Sequence, residues 1–406
     1  MGNVIHIGVF GKRNSGKSSL INSIVGQDIS IVSATPGTTT DPVRKRMELV
    51  GIGPVTFIDT AGIDDDGEVG KKRVDKSIDI IRQSDMAILL ITNNHLDKYE
   101  RSIIGLFEEV KLPYIIVHGQ SDIIPLESDF SSDLLTKYGT RIIEYSSAHI
   151  DEDKQKRDID MLTEQIGLIV KDNKRNRARG LFDGLVSKED VVIFVCPIDA
   201  GTPEGRLILP QVNAIREILD RGATSVVLQP EALAGYIAKN SSYVKMVVTD
   251  SQVFDYVSSV IPIDISLTSF SILLARSREN FEDYIVGVRQ IDLLKNGDKV
   301  LILESCTHHA TCDDIGRVKI PALLTGYTGK RLKFEFVSGL DRLPDEITSF
   351  SLAIQCGGCM VSGRQLANRV GDIISKGVCI TNYGMAIAYC NKIFERATLF
   401  LSPSTL

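Results

Sequence analysis

Long apolar runs, a basic excess and a disulfide-like cysteine pattern are all missing from this chain of 406 residues. No stretch approaches the roughly 18 consecutive apolar residues that a membrane-spanning helix needs, so no membrane association is expected. Lys and Arg number 46 against 52 Asp and Glu, a net charge of −6, which is the reverse of the basic footprint of a nucleic-acid binder. One local basic run, Lys171 to Arg179, reads as a solvated helix end or linker. Seven cysteines in a chain this long do not form a disulfide framework. Cys196 stands alone, and the others, Cys306, Cys312, Cys356, Cys359, Cys379 and Cys390, crowd the C-terminal part. No secretory leader is expected, because Val4 to Phe10 runs directly into a glycine loop as a strand would. The expectation is a cytoplasmic protein with reduced thiols and no nucleic-acid partner. Apolar content of 43% and charged content of 24% are those of a globular chain long enough for two or three cores.

What is present begins with that loop. Gly11-Lys12-Arg13-Asn14-Ser15-Gly16-Lys17-Ser18 fits GxxxxGKS, placed between a buried strand and a helix predicted over 17–25. The glycines let backbone N–H groups face phosphate oxygens, and the helix N-terminus favours the same anion. Gly11, Asn14, Ser15, Gly16, Lys17, Ser18 and Ser19 are therefore assigned to nucleotide binding. Lys17 supplies charge to the β- and γ-phosphates, and the Ser18 hydroxyl is placed for magnesium. The predicted strand 55–58 leads into Asp59-Thr60-Ala61-Gly62. Asp59 would hold magnesium through water, and the Gly62 N–H would approach the γ-phosphate. Thr35 to Asp41 lies between the two motifs. It resembles the first switch of the translation-factor-like GTPases of tRNA modification and ribosome assembly. Thr39 best matches their magnesium-closing threonine, with Thr38 and Thr40 as alternatives. Lys17, Thr39 and Gly62 are thus assigned to hydrolysis. Asn14 matches the potassium-binding asparagine of the cation-activated members of that group, although an ordinary turn residue reads the same way.

The base-reading end departs from the expected Asn-Lys-x-Asp. Gly119-Gln120-Ser121-Asp122 follows the strand predicted over 114–117. Asp122 keeps the carboxylate that can accept from guanine N1 and N2, but the asparagine and lysine are absent. Ser146, Ser147 and Ala148 match the loop whose backbone N–H reads guanine O6. GTP is expected over ATP, with reduced selectivity. Ile63 stands where a water-positioning glutamine would follow Gly62.

After a boundary between Arg175 and Leu185, strand and helix patterns alternate over 191–250, suggesting a small parallel sheet without catalytic residues. Packing or dimerisation is its expected role. Beyond it, strands predicted over 297–305 and 351–355 end at Cys306-Thr307-His308-His309 and at Cys356-Gly357-Gly358-Cys359. If those strands are neighbours, three thiolates converge at one sheet edge. Three cysteines with an uncertain fourth ligand suit a 4Fe-4S cluster with an exchangeable position; zinc held by Cys306, His308, Cys356 and Cys359 is the rival. His308, His309, Glu304 and solvent are the candidates for the fourth position. Cys390 lies in an apolar stretch and is expected to be buried.

The order of G domain, small α/β module and C-terminal cysteine domain resembles the GTPase scaffold of iron-only (FeFe) hydrogenase maturation. Cys306-Thr307-His308 and Cys356-Gly357-Gly358-Cys359 match that family's cysteine motifs, whereas Gln355 stands where the family has a histidine. The resemblance implies an α/β protein with a P-loop G domain over 1–172, a dimerisation module over 180–262 and an iron–sulfur cluster domain over 263–406. It also implies GTP hydrolysis with magnesium, a cluster held by Cys306, Cys356, Cys359 and His308, and a homodimer; the likeness to the translation-factor-like GTPases implies that a potassium ion, or another residue, neutralises transition-state charge. Its partners would be hydrogenase and radical maturase proteins, with a di-iron precursor as cargo. The alternative is a regulatory GTPase of the tRNA-modification or ribosome-assembly type with structural zinc.

Overall fold

The computed structural model describes residues 4–26, 43–60, 77–140, 142–146, 152–177, 179–198, 204–305, 314–339, 341–358 and 361–401. They fall into two compact units, Met1–Asn176 and Arg177–Leu406. In the first, β1 (Ile5–Gly11), β2 (Val43–Leu49), β3 (Gly53–Asp59), β4 (Met86–Ile91), β5 (Tyr114–Gly119) and β6 (Ile142–Tyr145) form one sheet in the order β2-β3-β1-β4-β5-β6. Only the β2–β3 pair is antiparallel; the other pairs are parallel. The sequence shows why β4 lies inside the sheet. Met86 to Ile91 is an unbroken apolar run, buried at every residue, as a parallel strand covered on both faces must be. One face packs on the helices Lys17–Val25 and Glu152–Arg177 through Leu20, Ile24, Leu162 and Ile166. The other packs on the helix Lys98–Glu109 through Ile103, Ile104 and Phe107. Each such fully buried side chain contributes about 1.5–3 kcal/mol.

The second unit holds two four-stranded parallel sheets. Strands β7 (Val191–Val195), β8 (Thr224–Leu228), β9 (Val244–Thr249) and β10 (Ser266–Ser269) run in the order β10-β9-β7-β8. Strands β11 (Lys299–Leu303), β12 (Lys333–Val337), β13 (Phe350–Gln355) and β14 (Ile380–Asn382) run in the order β12-β11-β13-β14. A single apolar core runs through both sheets, from Phe182 to Leu401. The ring of Phe194 on β7 stacks on Phe270 with centroids 5.7 Å apart. Arg276 is 2% exposed and donates to the carbonyls of Leu181 (3.2 Å), Asp183 (2.8 Å) and Leu401 (3.2 Å), joining the two ends of the unit. Burial, with the Arg179 charge adding to it, lowers its pKa to about 10.

The sequence predicts one helix over 284–293. The structure instead has an α-helix at Phe281–Gly287 that tightens to 3-10 geometry over Val288–Leu293. The backbone at Gly287 passes so close to β14 that a Cβ there would lie 1.9 Å from the Ile380 carbonyl. Among the described residues no helix is long and apolar enough to cross a membrane.

Candidate functional site

The phosphate loop is built by glycine geometry. At Gly11, φ is 152° and a Cβ would lie 2.6 Å from the Leu90 carbonyl, so no larger residue fits. Gly16 has φ of 96° and caps the helix Lys17–Val25, while Asn14 takes the left-handed conformation at φ 60°. Ser15 is buried against the loop. Lys17 Nζ donates to the carbonyls of Gly11 (2.9 Å) and Lys12 (2.6 Å), which curls the ammonium over the loop. β3 runs parallel to β1 with Asp59 opposite Val9. This register brings Asp59 beside the loop, and the Ser18 hydroxyl donates to Asp59 Oδ2 at 2.5 Å. The two oxygen donors assigned to magnesium are thus adjacent, and a hard cation takes oxygen ligands of this kind. Thr60 Oγ1 donates to the Val9 carbonyl at 2.7 Å, tying the end of β3 to β1. The Ser19 carbonyl accepts from the Tyr145 hydroxyl at 3.5 Å.

Three further contacts hold the loop in ways the sequence reading missed. Gln120, at φ 56°, donates from Nε2 to the Asn14 carbonyl at 3.1 Å. The Ser146 hydroxyl donates to Asp122 Oδ1, so the predicted guanine acceptor is held from the end of β6. Lys12 pairs with Asp97 and, at 3.5 Å, with Glu100. Asp97 caps the helix Lys98–Glu109 by accepting from Tyr99 N (2.9 Å) and Glu100 N (3.0 Å), and Glu100 Oε2 accepts from Asp97 N at 2.7 Å. The Asp-x-x-Glu spacing is the sequence signal that would have found this helix start. Burial first, then the Asp97 carboxylate beside it, push the Glu100 carboxyl up to about 7. Burial also acts upward on Asp97, but its bonds to Glu100 and Lys12 outweigh this and hold it well below the usual carboxylate range. Thr39, Gly62, Ser147 and Ala148 lie outside the described residues.

The second site lies on the third sheet. β11 and β13 are parallel neighbours, with Leu303 opposite Gln355, so the condition set for convergence of the cysteines holds for the strands themselves. Cys356 N donates to the Leu303 carbonyl at 2.9 Å. Ser305 N donates to Cys356 Sγ at 3.0 Å. Gln355 is fully buried; its Nε2 donates to Ser305 Oγ (2.9 Å) and approaches Cys356 Sγ at 3.7 Å. Among the described residues its Oε1 has no hydrogen-bond partner.

A second sphere of charge surrounds this edge. Buried Arg369 donates from Nη1 to the carbonyls of Glu304 (3.1 Å) and Gly339, and its Nε and Nη2 have no hydrogen-bond partner among the described residues. Burial lowers its pKa, and the Cys356 and Asp341 charges oppose that. Arg278 Nη2 donates to the Gly358 carbonyl at 3.2 Å. Gly358 sits at φ 67°, where only glycine is unstrained. N–H donors and guanidinium groups beside a sulfur suit a thiolate ligand of an anionic group. Glu304, one candidate for the fourth position, is committed elsewhere. Its oxygens accept from Arg317 at 2.8–3.2 Å and from Ser338 Oγ at 2.8 Å. Binding a metal would require it to release that bidentate partner.

Cys306, His308, His309 and Cys359 lie outside the described residues, as does Cys312. Among the described residues no three His, Cys, Asp or Glu side chains gather as a metal site. Cys390 is buried as expected, and burial pushes its thiol up to about 12; Cys379 is exposed.

Comparison with known proteins agrees with this geometry. Residues 6–120 match the family described as 50S ribosome-binding GTPase. Residues 181–279 match the hydrogen maturase F dimerization domain, and 282–399 the hydrogen maturase F tetramerization domain. GTPase Der of Kosmotoga olearia is 34% identical over 192 residues, 45% of this chain and 43% of its own length. The tRNA modification GTPase MnmE of Nitrosomonas europaea is 34% identical over 128 residues, 30% of this chain and 28% of its own. The chain therefore spans less than half the length of these curated relatives. Among solved structures, the G domain of the T. maritima FeoB iron transporter aligns at 18% identity and a TM-score of 0.29, over 39% of this chain and 98% of that one. The two hydrogen maturase F domains cover more than half of the sequence and follow a P-loop GTPase domain, and the chain belongs to the hydrogen maturase F family.

Proposed function

We propose that this chain is a GTP-hydrolysing scaffold that carries a 4Fe-4S cluster and a di-iron precursor and delivers the precursor to apo FeFe hydrogenase. The observation that supports it is the union, in one chain, of a P-loop GTPase domain with two hydrogen maturase F domains, the second of which ends two adjacent strands at Ser305 and Cys356. In this reading residues 1–172 act as the G domain, 180–262 as the dimerisation module and 263–406 as the cluster domain. Lys17 neutralises the β- and γ-phosphates. Ser18 and Thr39 ligate magnesium, with Asp59 behind them through water, and the Gly62 N–H meets the γ-phosphate. Asn14 would hold a potassium ion, which would supply positive charge toward the transition state in place of a glutamine-held water.

Cys306, Cys356 and Cys359 would hold the cluster, with His308, His309 or solvent at the fourth position. The cluster supplies an iron with an exchangeable coordination site. Around Cys356 the protein supplies the Ser305 N–H and the Gln355 amide, which orient the sulfur. GTP orders the switch segments through γ-phosphate and magnesium contacts and so sets the affinity for hydrogenase and radical maturase partners in the cytoplasm.

Anaerobic reconstitution followed by iron, sulfide and zinc analysis tests the reading. Four irons per chain are expected, lost in Cys306→Ala, Cys356→Ala and Cys359→Ala and retained in Lys17→Ala, which loses GTP hydrolysis. Stoichiometric zinc without sulfide would sink it.

A further inference from the structure

Guanine offers acceptors at O6 and N7 on one edge and donors at N1 and N2 on the other. The Asn-Lys-x-Asp pattern places an amide donor at its first position and a bracing cation at its second. Here those positions are Gly119 and Gln120, and the structure treats the two losses differently. The second is made good: Gln120 Nε2 donates to the Asn14 carbonyl at 3.1 Å, so a neutral amide still ties the base loop to the phosphate loop. Its left-handed backbone, φ 56°, is further held where Ile123 N (2.9 Å) and Ile124 N (3.0 Å) donate to its carbonyl.

The first is not made good. Gly119 ends β5 in a buried position. A Cβ there would come within 3.2 Å of both Leu90 Cδ1 and the Ser15 carbonyl of the phosphate loop. Leu90 occupies the room an asparagine would need, and no amide is present at this position to donate to N7. The opposite edge is intact, because Asp122 accepts from the Ser146 hydroxyl and keeps its other oxygen for N1 and N2.

We propose that the guanine site of this chain is blind to N7: Gly119 leaves that acceptor unread, Gln120 keeps the loop braced, and Asp122 carries selectivity through N1 and N2. Guanine nucleotides that lack the N7 acceptor are then bound as well as GTP. The inference rests on Asp122 as the guanine acceptor, and the test separates the two.

The full chain, with magnesium, is titrated with a fluorescent guanine nucleotide and challenged with GTP, 7-deaza-GTP or ITP, the last lacking the 2-amino group. GTP and 7-deaza-GTP are expected to agree within about twofold, and ITP to bind at least about tenfold more weakly, the worth of a hydrogen bond to a charged acceptor. A loss of about fivefold or more for 7-deaza-GTP, the worth of one neutral hydrogen bond, overturns the inference. ITP binding as tightly as GTP overturns the Asp122 reading beneath it. Gln120→Ala is expected to weaken all three nucleotides together; a changed GTP to 7-deaza-GTP ratio would place Gln120 on the base and refute its bracing role. Gly119→Asn combined with Leu90→Ala should gain a GTP preference over 7-deaza-GTP, and a double variant that binds GTP without gaining it counts against the proposal.

Discussion

Replacing Glu100 with glutamine isolates the carboxyl that anchors the phosphate loop from behind. Glu100 is 4% exposed, and its pKa rises from the ordinary 4.5 to about 7. Between those two values the folded chain holds a proton that the unfolded chain has released. Stability therefore falls as pH rises through this window, is greatest below it, and carries the full cost of a buried charge above it. Each unit corresponds to about 1.4 kcal/mol, and with Asp97 and Lys12 sharing the charge the total is on the order of 2 kcal/mol. Glutamine keeps the oxygen that accepts from Asp97 N and preserves the capping box, but does not titrate. Hydrogen exchange of the helix Lys98–Glu109 reports this unit alone. At about pH 8 the Glu100→Gln helix should be better protected by on the order of 2 kcal/mol, and at about pH 5 the difference should close. An equal difference at both pH values, or greater parental protection at the higher one, would refute the reasoning.

Three other outcomes follow from contacts in the second unit. Ser362 accepts from Gln365 N at 3.2 Å and caps the helix Gly363–Ser375, which carries Arg369, so Ser362→Ala should cost about 1 kcal/mol in urea denaturation. Arg276→Met keeps an apolar stem but strands the three carbonyls that Arg276 bridges, and a loss of about 3 kcal/mol is expected in the same assay. Glu304→Gln should leave the iron content of the reconstituted chain unchanged, because Arg317 and Ser338 already engage this carboxylate; loss of iron in that variant would make it a ligand.

The parts of the fold legible in the sequence are those in which local pattern and tertiary demand agree. The helix Lys17–Val25 follows its glycine loop as read, and β5 and β13 end at or within two residues of the predicted ends. Gly287 shows where this fails. Nothing local marks the Ile380 carbonyl, distant in sequence, that leaves no room for a Cβ there. The same holds at the sites. GxxxxGKS announces the phosphate loop, but Gln120 as its brace needs the β5 loop and the P-loop brought together across the sheet. At the cysteine edge the strand ends could be read, whereas Arg369, Arg317 and the commitment of Glu304 arise from helix and loop packing.

The single core from Phe182 to Leu401 passes beneath two segments that families treat as separate domains. The helix that follows β10, Phe270–Arg276, ends at Arg276, which donates to the carbonyl of Leu401 at the far end of the unit. A graft that exchanged one assembly module for a relative's would expose half of this shared interior unless both sides were exchanged together. The surfaces that bring copies of the chain together and the strands that end at the cysteines are thereby inherited as one block.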